Sequence, residues 1–318
     1  MTRYDFDGRV AVVTGAGRGI GRSYVRLLAE RGARVVVNDL GGSKDGLGRD
    51  AGPASSVAAE IAAAGGVAIA DTNDVANTAG AQSLVDATLE AFGRLDILIN
   101  NAGIIRWAGL PEADLDNLSR HFEVHVAGAF NVTRAGWPHM VSQGYGRIVM
   151  TTSTGLFGLP QNVSYATAKG AVIGLARSLA TAGAPHGIKV NLIAPAALTR
   201  MAGPPGDAAG PSEPQRDPPQ VGQMSPDLVA PIVAYLGHEE CPVTGEVYVA
   251  GASRFARMFI AVTEGYLHPA SAPPTIEDVA EHWGAINDSK SYSVPPDLTD
   301  WSSAFLAHLR AGGPEAPA

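Results

Sequence analysis

Ser153, Tyr165 and Lys169 have the types and spacing for proton transfer. Tyr165 and Lys169 stand four residues apart, which on a helix places them on one face. An ammonium beside a phenol lowers the phenol pKa from about 10 toward neutral pH, making it a general acid or base. Ser153 would hydrogen-bond a substrate oxygen and hold it for that transfer. A Tyr-x-x-x-Lys pair alone is a common feature of helix surfaces. This one follows a buried apolar run, Arg147-Ile148-Val149-Met150, and lies downstream of a glycine-rich turn. That context gives it chemistry.

The turn is Thr14-Gly15-Ala16-Gly17-Arg18-Gly19-Ile20-Gly21. It connects the apolar run Val10–Val13 to an amphipathic stretch, the strand–turn–helix setting in which glycines let the backbone approach a pyrophosphate. Gly15, Arg18, Gly19, Ile20 and Gly21 are therefore candidate cofactor contacts. Asp39 ends the second apolar run, 18 residues after Gly21, near the spacing of an acid that binds a ribose. A carboxylate there accepts from both ribose hydroxyls and repels a 2′-phosphate, which favours NAD. Arg18 pulls toward NADP, since a guanidinium pairs with phosphate. Asp39 is expected to prevail.

The elements that must position these groups alternate. Strands are expected at 10–13, 34–37, 67–70, 95–99, 147–150, 188–193 and 246–249, with helices at 20–31, 57–64, 81–92, 115–140 and 165–181. Repeated β-α-β units with short connections predict an α/β fold with a doubly wound parallel sheet and right-handed crossovers. Two regions depart from the alternation. Residues 202–224 are crowded with Pro and Gly, as expected of a substrate lid, and a Pro-rich C-terminal extension covers 263–318. The expected organisation is one NAD-binding domain over 1–262 plus that extension.

Composition narrows the function classes. With 318 residues, 46% hydrophobic and a net charge of −8, the chain can bury a core and lacks the basic character of a nucleic-acid binder. Its single cysteine, Cys241, allows no internal disulfide, and no metal is called for. The charged N-terminus does not read as a signal peptide, and no apolar run is long enough to span a membrane. The expectation is a cytoplasmic protein with no nucleic-acid or membrane partner.

Gly15-x-x-x-Gly19-x-Gly21, Asn100-Asn101-Ala102-Gly103, Ser153 and Tyr165-x-x-x-Lys169 together resemble the short-chain dehydrogenases/reductases over residues 6–252. The resemblance implies a seven-stranded Rossmann-type domain, a homodimer or homotetramer, and hydride transfer between nicotinamide and an alcohol/ketone pair. It implies that Asp74 and Val75 flank the adenine, and that Asn100, Ala102 and Gly103 line the cleft. Tyr165 would be the acid/base, Lys169 would bind the nicotinamide ribose, and Pro195 to Thr199 would meet the carboxamide.

Three departures stand out. His125 occupies a position where the family commonly has Asn, so it is either a relay residue or a satisfied core histidine. Counting from the strand selects Ser153, whereas counting back from Tyr165 selects Thr152. Pro195-Ala196 replaces the usual Pro-Gly.

Val37-Asn38-Asp39-Leu40-Gly41-Gly42, His125, Arg200-Met201 and His238-Glu239-Glu240-Cys241 are further similar to the dehydrogenase part of peroxisomal multifunctional β-oxidation enzymes and their stand-alone bacterial relatives. That likeness implies a 3-hydroxyacyl-CoA type substrate, with oxidation as this chain's only step. Arg106, Arg200 and Arg216 are candidate cations for the CoA phosphates. Trp107, Leu156, Phe157 and Leu159 would wall a pocket equally suited to a hydroxysteroid or another secondary alcohol. From a different class, the chain would be a catalytically silent NAD-binding regulatory protein.

Overall fold

The structure is a computed structural model that describes residues 3–201, 224–269 and 273–311. Val10–Thr14 forms β1, every residue of which is buried. A central parallel strand has helices on both faces, so its side chains meet apolar neighbours whichever way they point. The same logic shapes β2 (Arg34–Asn38), β4 (Ile97–Asn100), β5 (Gly146–Thr151) and β6 (Ile188–Ala196). β3 (Val67–Asp71) and β7 (Val247–Gly251) extend the array, in the order β3-β2-β1-β4-β5-β6-β7. Strand order reverses at β1 and β4, so a crevice opens beyond their carboxyl ends. Register sets Val13 beside Val37 and Ile99, which brings Thr14, Asn38 and Asn100 to one rim.

The helices are α1 (Gly19–Glu30), α2 (Gly52–Ala63), α3 (Thr78–Phe92), α4 (Leu115–His121), α5 (Gly128–Gln143), α6 (Val163–Gly183) and α7 (Ala230–Leu236). Ala11, Val13, Val35, Val37, Ile97 and Ile99 share a core with Tyr24, Val25 and Leu28 of α1, Ala54 and Ile61 of α2, and Val233 of α7. The alternate residues Val12, Val36, Leu98, Ile148 and Met150, also buried, face the other side.

Two features differ from expectation. The helix expected over 115–140 is interrupted by a π-helical turn, Phe122–Ala127, which carries His125. Such a turn inserts a residue into the helical ladder and is concentrated at functional sites. The sheet also gains an eighth strand among the described residues, β8 (Arg254–Met258). A two-residue connection admits only an antiparallel hairpin. Its residues Ala252 and Ser253 have φ of 48° and 60°, values usually met by Asn-Gly. Without that signature the hairpin is silent in the sequence.

At the amino ends of the strands, Asp96 is fully buried. Its carboxylate accepts from Val10 N at 2.9 Å, from Arg9 at 3.2 Å, and from Arg94 at 2.6 and 2.7 Å. Tyr145 lies between the guanidiniums of Arg9 and Arg147, 3.9 and 4.3 Å from its ring centre. This cluster closes the rim opposite the crevice.

The chain divides into two units between Arg257 and Met258. In the second, β9 (Val262–Thr263) pairs antiparallel with β10 (Tyr292–Ser293). Its helices α8 (Ile276–Glu281), α9 (Trp283–Ile286) and α10 (Leu298–Phe305) contain no buried residue. The expected lid at 202–224, Met224 excepted, and Arg216 with it lie outside the described residues. Among the described residues no helix is long and apolar enough to cross a membrane.

Candidate active site

The glycine turn is held by the strand beside it. Thr14 Oγ1 accepts from the amides of Asn101 and Ala102, each at 3.0 Å, and Asn101 Nδ2 donates to the carbonyls of Thr14 and Gly15. The two segments lie so close that a Cβ on Gly15 would stand 2.9 Å from Ala102 Cα, and one on Gly21 2.3 Å from the Gly15 oxygen. Arg18 caps α1 in extended conformation and its side chain does not bond the first-turn amides, which are left for a ligand. Gly21→Ala is therefore expected to distort the turn and weaken dinucleotide binding at least about tenfold. A fluorescence titration with NADH reads this directly, and an unchanged affinity would show that the turn does not form the cradle.

Asp39 is nearly buried and accepts from Gly17 N at 2.8 Å and Gly41 N at 2.7 Å, one bond to each carboxylate oxygen. It thus clamps the glycine turn to the end of β2. Asp74 accepts from Ala76 N, and Val75 packs against Gly128. Asn131 donates to the carbonyls of Val75 and Ala76, tying that segment to α5. Asn100 Nδ2 reaches Thr133, while Asn100 Oδ1 is buried without a partner. Thr199 lies over Gly19, its methyl 3.6 Å from where a Cβ would be, and Pro195 ends β6 alongside β7. The glycine cradle, the uncapped α1 amides and the orphaned Asn100 oxygen on the crevice floor all fit a dinucleotide.

The proton-transfer residues meet where the carboxyl end of β5 faces the first two turns of α6. Thr152 is fully buried and donates to the Lys169 carbonyl at 2.7 Å. Ser153 starts the turn Thr154–Phe157, accepts from Gly155 N at 3.0 Å, and borders Gly155 together with the Tyr165 ring. Of the two hydroxyls left open by the spacing, the structure aims Ser153 at the phenol.

The electrostatics differ from the spacing argument. Burial raises the Tyr165 pKa above 10, with the Ser153 hydrogen bond pulling against it. Lys169 does not counter this, because its Nζ stands 5.8 Å from the ring centre and donates to the Thr151 carbonyl at 2.9 Å. Enclosure pushes Lys169 itself down to about 7. A cation that costly to bury is poised to gain from any acceptor or anion placed beside it.

His125 stands edge-on to Tyr165, ring centres 5.4 Å apart. Its Nε2 lies 2.8 Å from the Ile104 carbonyl oxygen and 3.3 Å from the Ile104 amide, and the shorter contact, oxygen to nitrogen, calls for a proton on Nε2. Nδ1 is then an acceptor, buried and without a partner. Burial and the Lys169 charge hold the His125 pKa well below the usual imidazole value, so the ring is neutral. Gly103 is the one residue that fits beneath it, since a Cβ there would be 2.6 Å from His125 Cε1.

His121, one turn earlier, was not singled out from the sequence. It is fully buried, stacks on His125 at 5.8 Å, donates through Nδ1 to Asn117 O and accepts from Arg106 N. The His-x-x-x-His spacing was the available signal. The β2–α2 loop was also missed: Lys44 O accepts from Ile105 N, and Asp45 O accepts from the Arg106 side chain. Among the pocket residues, Trp107 Nε1 is buried without a partner, Leu156 and Leu159 are half-buried, and Phe157 is exposed. Arg106 pairs with Asp116, and Arg200 reaches the Gly42 carbonyl.

Comparison with known proteins agrees with this arrangement. The profile described as short chain dehydrogenase matches residues 9–205. A short-chain type dehydrogenase/reductase of Mycobacterium tuberculosis is 40% identical over 88% of this chain and 94% of its own length. Peroxisomal multifunctional enzyme type 2 of Drosophila melanogaster is 39% identical over 98% of this chain but only 51% of its own. The full-length structure of that enzyme superposes with a TM-score of 0.77, at 32% identity, covering 96% of this chain and 50% of the other. A short chain dehydrogenase from Mycobacterium avium gives 0.74 at 32% identity, covering 89% and 97%. The chain thus spans nearly all of its bacterial relatives and about half of the peroxisomal enzyme.

Proposed function

Because the chain belongs to the short-chain dehydrogenase family and is an oxidoreductase acting on CH–OH groups, we propose that it oxidises a 3-hydroxyacyl thioester with NAD, using Tyr165 as the base. The observation that carries the reading is the meeting of Ser153, just past β5, with Tyr165 at the start of α6, His125 edge-on to the phenol and Lys169 one helical turn away. When bound, the dinucleotide supplies the hydride acceptor. Ser153 Oγ holds the substrate hydroxyl, and Tyr165 Oη removes its proton. Lys169 anchors the ribose and stabilises the tyrosinate. His125 Nδ1 accepts a hydrogen bond from a water beside Lys169 and holds it in place between that ammonium and solvent, a role its unpartnered lone pair supports. Gly15, Arg18, Gly19, Ile20 and Gly21 take the pyrophosphate, and Asp39 takes the adenosine ribose. Asp74, Val75, Asn100, Ala102, Gly103, Pro195 and Thr199 line the remaining length.

NAD is the preferred cofactor because Asp39 accepts from ribose hydroxyls and repels a 2′-phosphate. The thioester reading is supported by the peroxisomal relative, whose likeness extends over nearly the whole chain. Residues 1–262 are the catalytic domain and 263–318 an extension to it. Phe122, Val126, Phe130 and Leu175 form an open apolar patch that fits a homodimer or homotetramer contact. A chain with one cysteine suits the reducing cytoplasm.

The test is turnover of a 3-hydroxyacyl-CoA against the free secondary alcohol and a hydroxysteroid. The thioester is expected to have a kcat/KM at least about a hundredfold higher, as when remote binding energy is used in the transition state. Equal values would remove the thioester and leave a general secondary-alcohol dehydrogenase.

A further inference from the structure

The Arg106 peptide is held to α4 by a closed ring of hydrogen bonds. Its amide donates to His121 Nε2 at 3.2 Å, His121 Nδ1 donates to the Asn117 carbonyl at 2.8 Å, and Asn117 Nδ2 donates to the Arg106 carbonyl at 3.2 Å. Each bond fixes the next. An amide only donates and a carbonyl only accepts, so His121 carries its proton on Nδ1 and leaves Nε2 bare. A second proton would set an N–H against the Arg106 N–H and open the ring. Burial keeps that proton away: it lowers the His121 pKa, with the bond to Asn117 opposing and the Arg106 and Lys169 charges assisting.

His125 grips the same segment, its Nε2 donating to the Ile104 carbonyl at 2.8 Å. His121 and His125 thus bond alternate residues, 104 and 106, and their rings stack with planes 8° apart. Both stand edge-on to Tyr165, with ring centres 6.1 and 5.4 Å from that of the phenol. The segment is also tied to the β2–α2 loop, where the Ile105 amide donates to the Lys44 carbonyl at 2.8 Å and Arg106 Nε to the Asp45 carbonyl at 2.9 Å. Ile104–Arg106 is therefore fastened to the imidazole pair and to the β2–α2 loop at once. No step of the proton transfer described above uses His121, although the residue is fully buried beside the base.

We propose that His121 is a positioning residue for the oxidation: by holding the Arg106 peptide it fixes the Ile104–Arg106 segment, through that segment the His125 ring, and through both rings the orientation of Tyr165. It touches neither substrate nor dinucleotide. Its hydrogen bonds carry the role, because a hydrogen bond fixes direction and a stack alone lets the rings slide. His125 keeps its angle to the phenol only while Ile104, its own anchor, stays in place. The proposal rests on reading Tyr165 as the base.

The test compares oxidation of an accepted alcohol by the full chain in wild type, His121→Phe and His121→Gln, beside NADH titration and calorimetry. Phe keeps a flat ring in the stack and removes both nitrogens. Gln gives up the ring and places an amide oxygen as many bonds from Cβ as Nε2 is. His121→Phe is expected to lower kcat about tenfold, as a small misplacement of a reacting group does. Its NADH affinity should stay within about threefold of wild type, because Lys44 and Asp45 still hold the segment and the fold. His121→Gln should return kcat to within about threefold of wild type, since the acceptor for the Arg106 amide is restored.

The pH profile separates positioning from support of the fold. Ser153, His125 and Lys169, the other polar groups around the phenol, are the same in both variants. A loosened ring pair admits water to Tyr165 and relieves the burial that raises its pKa, so the rising limb of oxidation should move to lower pH in His121→Phe and stay in place in His121→Gln. Unchanged kcat and an unmoved limb in His121→Phe would overturn the proposal by leaving His121 as packing. Equal losses in both variants, with a lower melting temperature and an unmoved limb, would overturn it by making the residue structural. Tyr165→Phe under the same conditions keeps the two readings apart. If it retained turnover, the assignment of the base would fail; if it lost turnover while His121→Phe did not, only the positioning role would.

Discussion

Tyr165→Phe is expected to lower kcat/KM for oxidation of any accepted alcohol about 10³-fold while NADH binding persists, the loss falling within the range for a positioned acid–base group. The substitution removes one oxygen and keeps the ring, so the edge contact with His125 and the packing of α6 survive. Ser153 cannot take over. Its hydroxyl already accepts from Gly155 N, and an aliphatic alcohol is far weaker than a phenol as a proton acceptor.

The pH dependence follows with a definite sign. Oxidation needs the tyrosinate, so its rate should rise with pH, and reduction needs the phenol, so its rate should fall. Burial displaces the Tyr165 pKa upward in the protein by itself, which puts the rising limb on the alkaline side. Lys169, driven down to about 7, gains a proton as the pH falls through that value. Its charge favours the tyrosinate and any anion nearby. Steady-state rates across pH for wild type and Tyr165→Phe would check both points. A variant that retained the alkaline rise would assign the proton transfer elsewhere.

Asp96→Ala is expected to destabilise the protein by about 3 kcal/mol, the lower end for breaking a buried ion pair. Three groups lose this acceptor, the buried amide of Val10 and the guanidiniums of Arg9 and Arg94, of which Arg9 keeps Glu239. Both arginines keep some solvent, with side-chain exposures of 24% and 39%, which limits the penalty. For a domain of this size the melting temperature should drop by about 6–10 °C. Asp96 precedes β4, whereas Asn100 ends it at the crevice, so the folded variant should keep its turnover. A calorimetric shift below about 2 °C would mean that water replaces the carboxylate at little cost.

Much of the fold was legible because its signals are local. Continuous apolar runs separated by helical periods specify a doubly wound parallel sheet, and its seven parallel strands lie where those runs do. β8 was not legible, because Ala252 and Ser253 adopt left-handed backbone without the residues that announce it. The π-helical turn under His125 was hidden for a related reason. One inserted residue shifts the apolar stripe by a single position, too small a change to mark a break in the helical pattern.

The sequence alone determined the glycine turn, the Tyr165–Lys169 face and the candidate ribose acid, since each depends on spacing within one element or one strand–turn–helix unit. Tertiary structure decided the choice between hydroxyls. Thr152 is drawn inward to the Lys169 carbonyl, and Ser153 faces the phenol. It also decided that burial, more than the neighbouring ammonium, governs Tyr165, and that Arg200 comes to stand beside Arg18. These outcomes depend on sheet register, on burial and on where a loop lands after a long excursion. No short-range pattern encodes them, because the groups that meet are brought together only when the strands between them have paired.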